Sequence, residues 1–240
     1  MEVFAGLKKA ALAAAFAVAL LATVMSATLA SSASLGGILA GSLLATNRTD
    51  VPKNLSMSDD FVGTNGSING RTLSTGQQWV THSGNWVISS NKLSQTTTTS
   101  TTTYRRASLP WITGATTVTA ALTTTSSQYI GIYLQGNSNG TAATVLRVRN
   151  NGSAILCRLS SSSTCTQLAT ATSAGGSATW ALTYDTGVCT VTRNGAQVLT
   201  YTVPVASRAG YEANTRVGVI SIGNVSATGY RWTSFSAASV

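Results

Sequence analysis

Residues 129–135 read YIGIYLQ and residues 144–149 read TVLRVR, separated by the turn-rich stretch GNSNGTAA. Apolar Ile130, Ile132 and Leu134 alternate with residues of other kinds, and this two-residue period is that of a β-strand. Side chains at alternate positions point to opposite faces of a sheet. The stretch therefore predicts two neighbouring strands with one apolar face turned toward a core.

The same rhythm recurs in short runs along most of the chain. Turn signals separate these runs, and Asn194-Gly195 has the form of a two-residue hairpin turn. Many short strands joined by turns predict an all-β, antiparallel two-sheet sandwich. We expect the sandwich over residues 58–240, a polar linker over 47–57, and no helix after residue 46.

An apolar N-terminal α-helix is expected within residues 1–46. Residues 10–30 contain no charged side chain, and Lys8 and Lys9 precede them. Three interpretations remain open for this segment: a secretory signal peptide, a retained membrane anchor, or a stalk that joins copies of the chain into an oligomer.

The chain is basic but sparsely charged. Its net charge is +9, although only 9% of its residues are charged. The arginines are scattered, whereas nucleic-acid readers usually show a clustered stripe, so we expect no nucleic-acid partner. The charge is consistent with a soluble surface or with attraction to an anionic cell surface.

Residues for catalysis or for metal binding are scarce. Residues 58–240 contain four carboxylates and one histidine, His82, which lies on a short strand and is interpreted as structural. Glycosidases need a pair of carboxylates, and a Ser-His-Asp site needs an oriented histidine. The sequence therefore predicts no enzyme, no metal and no cofactor.

The three cysteines leave at least one thiol unpaired. Cys157 and Cys165 flank the turn SSSST and could form a disulfide in an oxidising compartment. Cys189 alternates with Val191 and is interpreted as a small buried side chain.

Several stretches, in their order along the chain, resemble the concanavalin A-like lectin and laminin-G-like jelly rolls. The copies they resemble most are those in secreted actinobacterial proteins and in minor tail proteins of actinobacteriophages. The resemblance covers about 180 residues and implies that the last strand pairs with the first. The matching stretches are DDFVGTNGSINGR at 59–71, WVTHSGNWVISSNKL at 79–93, YIGIYLQGNSNGTAATVLRVRNNGS at 129–153, WALTYDTGVCTVTRNGAQV at 180–198, and RVGVISIG with YRWTSFSA at 216–223 and 230–237.

One sheet face is the best candidate for ligand binding. Sugars stack on aromatic rings, and the guanidinium group suits anionic groups. Two loop aromatics could rim the site, whereas Trp86, Trp180 and Trp232 are expected in the core. An alternative is that the tyrosines and arginines only pack on one another. The candidate residues are Tyr129, Tyr133, Gln135, Arg147 and Arg149 on the face, with Trp111 and Tyr211 at its rim.

Three functions follow as hypotheses. The first is a non-catalytic adhesion or glycan-recognition module in the tail or surface of a phage virion, with a cell-surface glycan or anionic polymer as its partner. In that case residues 1–46 would hold together a homo-oligomer or contact other virion proteins. The second is a secreted or membrane-anchored bacterial lectin-like protein, and the third is a purely structural virion protein.

Overall fold

The computed structural model of the chain describes residues 55–97, 103–112, 114–125, 128–150, 152–172, 174–222 and 230–240. The predicted N-terminal helix and nearly all of the predicted linker lie outside these residues. Among the described residues, no helix is long and apolar enough to cross a membrane.

The described residues form two antiparallel sheets and one helix, which confirms the predicted all-β class. The strands are β1 Ser56–Asp59, β2 Gly66–Ser67, β3 Val80–Ser83, β4 Trp86–Ile88, β5 Leu93–Gln95, β6 Tyr104–Pro110, β7 Thr116–Thr124, β8 Tyr129–Gly136, β9 Ala143–Val148, β10 Ala154–Leu159, β11 Cys165–Ala171, β12 Ala178–Asp185, β13 Val188–Arg193, β14 Ala196–Thr202, β15 Arg216–Ile222 and β16 Tyr230–Ser239. The helix, α1, spans Val205–Glu212.

The order of the strands defines two sheets. Sheet I runs β14-β13-β12-β7-β16-β5-β4-β2, with β1 paired to β16, and sheet II runs β11-β10-β9-β8-β15-β6-β3. The first strand thus pairs with the last, with Ser56 opposite Ala238, as the resemblance implied. Because strands distant in sequence lie side by side, both sheets depend on long-range pairing.

The main core lies between the sheets. Val118 and Trp180 of sheet I meet Ile132 and Leu146 of sheet II in one cluster of buried side chains. The indole of Trp232, on β16, donates a hydrogen bond of 3.0 Å to the carbonyl of Gly131, on β8. That bond joins the two sheets through a side chain with no exposed surface. Trp86, Trp180 and Trp232 are all buried in this core, as predicted.

Helix α1 corrects the prediction that no helix follows residue 46. It begins after Pro204 and has no side-chain N-cap, so the sequence carries only a weak helix signal. Tyr211 is its buried residue and packs in the main core. Packing against the sandwich therefore stabilises a helix of eight residues that is too short to be stable on its own.

The sandwich also begins earlier than predicted, at Ser56 rather than residue 58. The stretch SMSD looked like linker because three of its four residues are polar. Met57 and Asp59 point inward, however, and the strand pairs with β16 through its backbone.

The cysteines behave as two separate groups. Cys157 on β10 and Cys165 on β11 form a disulfide, so the pairing that the sequence left open is made in this structure. Cys189 is a buried free thiol, as predicted. Burial raises the pKa of Cys189 to about 12, so this thiol stays protonated at neutral pH.

Candidate functional site

The outer face of sheet II, the face turned away from the main core, carries most of the predicted binding residues. Strands β8 and β9 pair with Gly131 opposite Arg147 and Tyr133 opposite Val145. Since Ile130, Ile132 and Leu134 belong to the main core, the residues between them point outward. The predicted alternation along these strands is therefore confirmed.

Tyr129 is the centre of a cationic cluster at one end of this face. The guanidinium carbons of Arg147 and Arg149 lie 4.7 and 5.1 Å from the centroid of its ring. Arg147 also donates a hydrogen bond of 2.6 Å to the hydroxyl of Tyr104, and Arg149 donates one of 3.3 Å to Ser153. All three side chains at the centre are half-buried. We call Tyr129, Arg147 and Arg149 the Tyr129 cluster.

Tyr133 lies on the same face but has no exposed surface. Its ring covers Gly218 on β15, where an added Cβ would come within 2.9 Å of the ring. Its hydroxyl donates a hydrogen bond of 3.3 Å to the carbonyl of Ala107. Burial raises the pKa of Tyr133, so the phenol stays protonated. This residue supports the face rather than offering a ring for stacking.

Gln135 leaves the outer face, contrary to prediction. It has a positive φ of 55°, and its amide oxygen accepts a hydrogen bond of 2.8 Å from Thr144. Thr144 is on the core-facing side of β9, in phase with Leu146 and Val148. The left-handed backbone interrupts the two-residue alternation, and sequence periodicity alone did not reveal it.

Trp111 and Tyr211 do not rim the site either. Both are only 8% exposed and belong to the main core. The indole of Trp111 donates a hydrogen bond of 3.0 Å to Thr116, and the guanidinium carbon of Arg158 lies 4.1 Å from the ring centroid of Tyr211. Trp111 follows the end of β6, whereas Tyr211 lies in helix α1 rather than in the predicted loop, and packing turns both rings inward.

The middle of the outer face is apolar and buried. It forms a second cluster, separate from the main core, in which Tyr129 and Cys165 pack at the edges. The buried members are Tyr104, Tyr133, Ala143, Val145, Ile155, Cys157, Leu159, Ile220 and Ile222. Sheet II is thus apolar on both sides.

Sequence reasoning missed a polar network at the other end of this face. The Ser108 hydroxyl lies 2.7 Å from Nε2 of His82 and accepts a hydrogen bond of 3.0 Å from Arg216. Nearby, the guanidinium of Arg106 donates to the carbonyl of Gly140. We call His82, Arg106, Ser108 and Arg216 the Ser108 network. The bond between Ser108 and Arg216 spans 108 residues of sequence, so no local motif could reveal the network.

His82 is neutral in this network. Burial, followed by the nearby charges of Arg216 and Arg106, lowers the pKa of His82 from 6.5 to about 4. A neutral imidazole can accept the Ser108 hydroxyl hydrogen at Nε2. Ser108 then accepts the bond from Arg216, so each group has a consistent role.

A shallow depression of about 520 Å³ opens beside Arg216. The loop before β3 contributes Gln77 and Gln78, and the ends of two strands contribute Val80 and Pro110. Arg216 is the charged residue in its wall, and Val80 is 37% exposed.

The carboxylates of the described sandwich have structural partners or lie in turns. Asp59 pairs with Arg71 at 2.9 Å and accepts the indole N–H of Trp79. Asp60 accepts the backbone N–H of Val62, and Glu212 accepts the hydroxyl of Tyr184. Asp185 ends β12 at a tight turn. These arrangements do not resemble the facing acid and base of a glycosidase.

The described residues contain no cluster of three or more His, Cys, Asp or Glu side chains suited to a metal ion. His82 and Ser108 form a serine–histidine contact, but Ser108 has no exposed surface from which to reach a substrate. The strands of sheet II carry arginines but neither Asp nor Glu. The arrangement is suited to holding anionic or hydroxyl-rich groups at its basic ends.

No known protein family and no curated protein matches the sequence. Solved structures do match the fold. An apo Crh5 transglycosylase is 13% identical, with 77% of this chain and 84% of that chain covered at a TM-score of 0.50. A structure from work on endo-acting O-glycanases of the human gut microbiota is 10% identical, with 75% and 97% covered at 0.50.

A carbohydrate-binding module, CBM66 from Bacillus subtilis, is 9% identical, with 72% and 94% covered at a TM-score of 0.49. At such identities the likeness shows the fold alone, which is an all-β jelly-roll sandwich. Likeness of fold alone does not indicate a function, so function must be argued from the side chains.

Proposed function

We propose that this chain is a non-catalytic glycan-recognition module that binds through the outer face of sheet II. The observation that carries the proposal is the Tyr129 cluster, where two guanidinium groups lie within about 5 Å of one half-buried ring. An aromatic ring can stack on a sugar, and the guanidinium groups can hold its hydroxyl or acidic groups.

The absence of catalysis is part of the proposal. Its support is that Asp59, Asp60 and Glu212 hold structural hydrogen bonds, while Ser108 is buried next to His82. Hydrolysis of a glycosidic bond needs an acid and a second carboxylate on either side of the bond. The described residues offer arginines on this face instead.

A glycan array with the intact chain tests recognition. Tyr129→Ala and Arg147→Gln are expected to weaken binding about tenfold each, since loss of a central contact costs on the order of 1–2 kcal/mol. Arg231→Gln is the matched control, because Arg231 lies on sheet I, where it donates to Ser94. Failure of the unaltered chain to bind any glycan, or equal binding by all variants, would refute the proposal.

The place of action is proposed to be the tail or surface of an actinobacteriophage virion. The support is the resemblance of the sequence to minor tail proteins. In this proposal residues 1–46 join copies of the chain or contact other virion proteins. A purely structural virion role predicts that the chain binds no glycan on the array.

A second candidate is a secreted or membrane-anchored bacterial lectin-like protein. The Cys157–Cys165 disulfide favours it, since such bonds persist in oxidising compartments. N-terminal sequencing of the natural protein separates the two. A start near Ser31 or Ser34 supports secretion, and a start at Met1 or Glu2 supports retention of the segment.

A further inference from the structure

We propose that the depression beside Arg216 is a second anion subsite, which takes a carboxylate or phosphate group of the same polymer that binds at the Tyr129 cluster. This inference rests on the proposed function and adds the class of ligand, a polyanion. The Ser108 network and the walls of the depression carry it.

Two positive charges favour an anion at the depression. Arg216 lines the depression, and Arg106, which is 3% exposed, belongs to the same Ser108 network, since both charges act on His82. The guanidinium of Arg106 donates to the carbonyl of Gly140, but its Nε–H has no hydrogen-bond partner among the described residues. Two guanidinium groups on strands without Asp or Glu create a positive potential, which an incoming anion would neutralise.

The Ser108 network orients Arg216. One of its nitrogens donates to Ser108, and Ser108 is held in turn by His82. A guanidinium has five N–H donors, so donors remain for a ligand after this bond. The contact of 2.7 Å between Nε2 of His82 and the Ser108 hydroxyl holds Ser108, and therefore Arg216, in place before a ligand arrives.

The wall of the depression also carries neutral polar side chains. Gln77 and Gln78 line the depression together with Val80 and Pro110. The amide oxygen of Gln77 accepts a hydrogen bond from Thr75, which leaves its N–H₂ group as a donor. An oxygen-rich anion could accept from this amide and from Arg216 together.

The spacing between the two basic ends of the face suits a linear polymer. Along β15, Arg216 is opposite Gly136, and Ile222 is opposite Tyr129. Six residues of strand at about 3.3 Å each place these ends roughly 20 Å apart. A linear polymer with repeated acidic groups could engage both ends, and binding at one end raises the effective concentration at the other.

The test measures binding of the intact chain to immobilised polygalacturonate, poly(glycerol phosphate) and dextran by interferometry. The first two polymers distinguish carboxylate from phosphate as the anion, and dextran is the neutral comparison. Arg216→Gln is expected to weaken binding of at least one polyanion about tenfold, a loss of about 1.4 kcal/mol. Arg231→Gln on sheet I removes the same charge and should leave binding unchanged.

Exposed Val80 allows a test that avoids the buried network. Val80→Asp places a negative charge in the depression and should weaken polyanion binding about fivefold, while Val80→Lys should strengthen it, and high salt should reduce both effects. This pair keeps the proposal testable if Arg216→Gln does not fold.

Each outcome has one meaning. Absence of binding to every polymer and to the glycan array would refute the proposed function. The second subsite would be overturned if Arg216→Gln or both Val80 variants bind the polyanions as tightly as the unaltered chain does. It would also be overturned if the chain binds dextran as tightly as the polyanions. The Tyr129 cluster would then remain as the site. Selective loss of polyanion binding in these variants would support it.

Discussion

The outer faces of the two sheets differ in a way that bears on function. On sheet I, β7 alternates between buried and more exposed residues, with Thr117 and Thr119 on the half-buried side. On sheet II, β8 is buried at every position after Tyr129, and β9 at every position except Arg147. Alternation is typical of a sheet with one solvent face, whereas continuous burial is typical of a sheet covered on both sides.

The outer face of sheet I is a regular polar surface, whereas the outer face of sheet II carries the apolar and basic clusters. The outer face of sheet I is rich in small threonine side chains, some of them bonded across strands, as in the contact of 2.8 Å between Thr117 and Thr183. The outer face of sheet II combines an apolar middle with basic clusters at its ends. The candidate site lies on sheet II, whose strands depart from the simple alternation of buried and exposed residues.

The largest loss of stability is expected where the two sheets meet. Trp232→Ala removes a fully buried indole and its bond to Gly131, and it should lower the free energy of unfolding by about 3–5 kcal/mol. Trp232→Phe should cost clearly less, since the ring volume is largely retained. Urea unfolding measures both. Equal losses for the two variants would contradict a packing role for this side chain.

The next test compares the two outer faces directly. Ile220→Ala on sheet II should cost about 3 kcal/mol, because Ile220 is fully buried in the second apolar cluster. Thr119→Ala on sheet I should stay within about 0.5 kcal/mol, because its side chain is half-exposed. Urea unfolding measures this difference as a shift in midpoint, provided that the two variants have the same dependence of unfolding free energy on urea concentration. Similar values for both would remove the distinction between the faces.

The disulfide tests the edge of sheet II. Cys157→Ala combined with Cys165→Ala should lower the free energy of unfolding by about 2.5 kcal/mol, as expected for a short closed loop. Reduction of the unaltered chain should give a similar shift in midpoint. Cys189→Ala on sheet I provides a comparison without a cross-link. A double variant as stable as the oxidised chain would show that the bond adds nothing at this edge.

The smallest expected effect is a dependence on pH at the Ser108 network. His82 is neutral in the folded chain down to about pH 4, while in the unfolded chain it binds a proton near pH 6.5. The unfolded state therefore binds more protons in that window, and stability should fall as pH falls through it. His82→Gln should flatten this part of the curve. An unchanged curve would contradict a buried neutral histidine.

Much of the fold was predictable from local patterns. A single sequence displays the two-residue period of strands and the residue types of tight turns. These signals predicted the alternation of Ile130, Ile132 and Leu134, the Asn194-Gly195 turn and the buried tryptophans. Helix α1 was not predictable in this way. Its segment lacks a cap, and the packing of Tyr211 decides it.

The site was predictable only in part. The two-residue alternation along the strands placed Tyr129, Arg147 and Arg149 on one face. It could not show that the backbone of Gln135 has a positive φ. Nor could it reveal that His82 meets Ser108, because that contact depends on the pairing of β3 with β6. Sequence shows which side of a strand a residue occupies, whereas long-range register decides its neighbours.

The pairing of β1 with β16 places both ends of the described sandwich side by side. Leu55 and Ser239 exchange backbone and side-chain hydrogen bonds of 2.9 and 3.1 Å. A linker of a few residues could therefore join these ends in a circular permutant, with new ends opened in a surface turn such as Asn194-Gly195. By the same geometry, the sandwich could be inserted as a cassette into a loop of a host protein without stretching the host's chain.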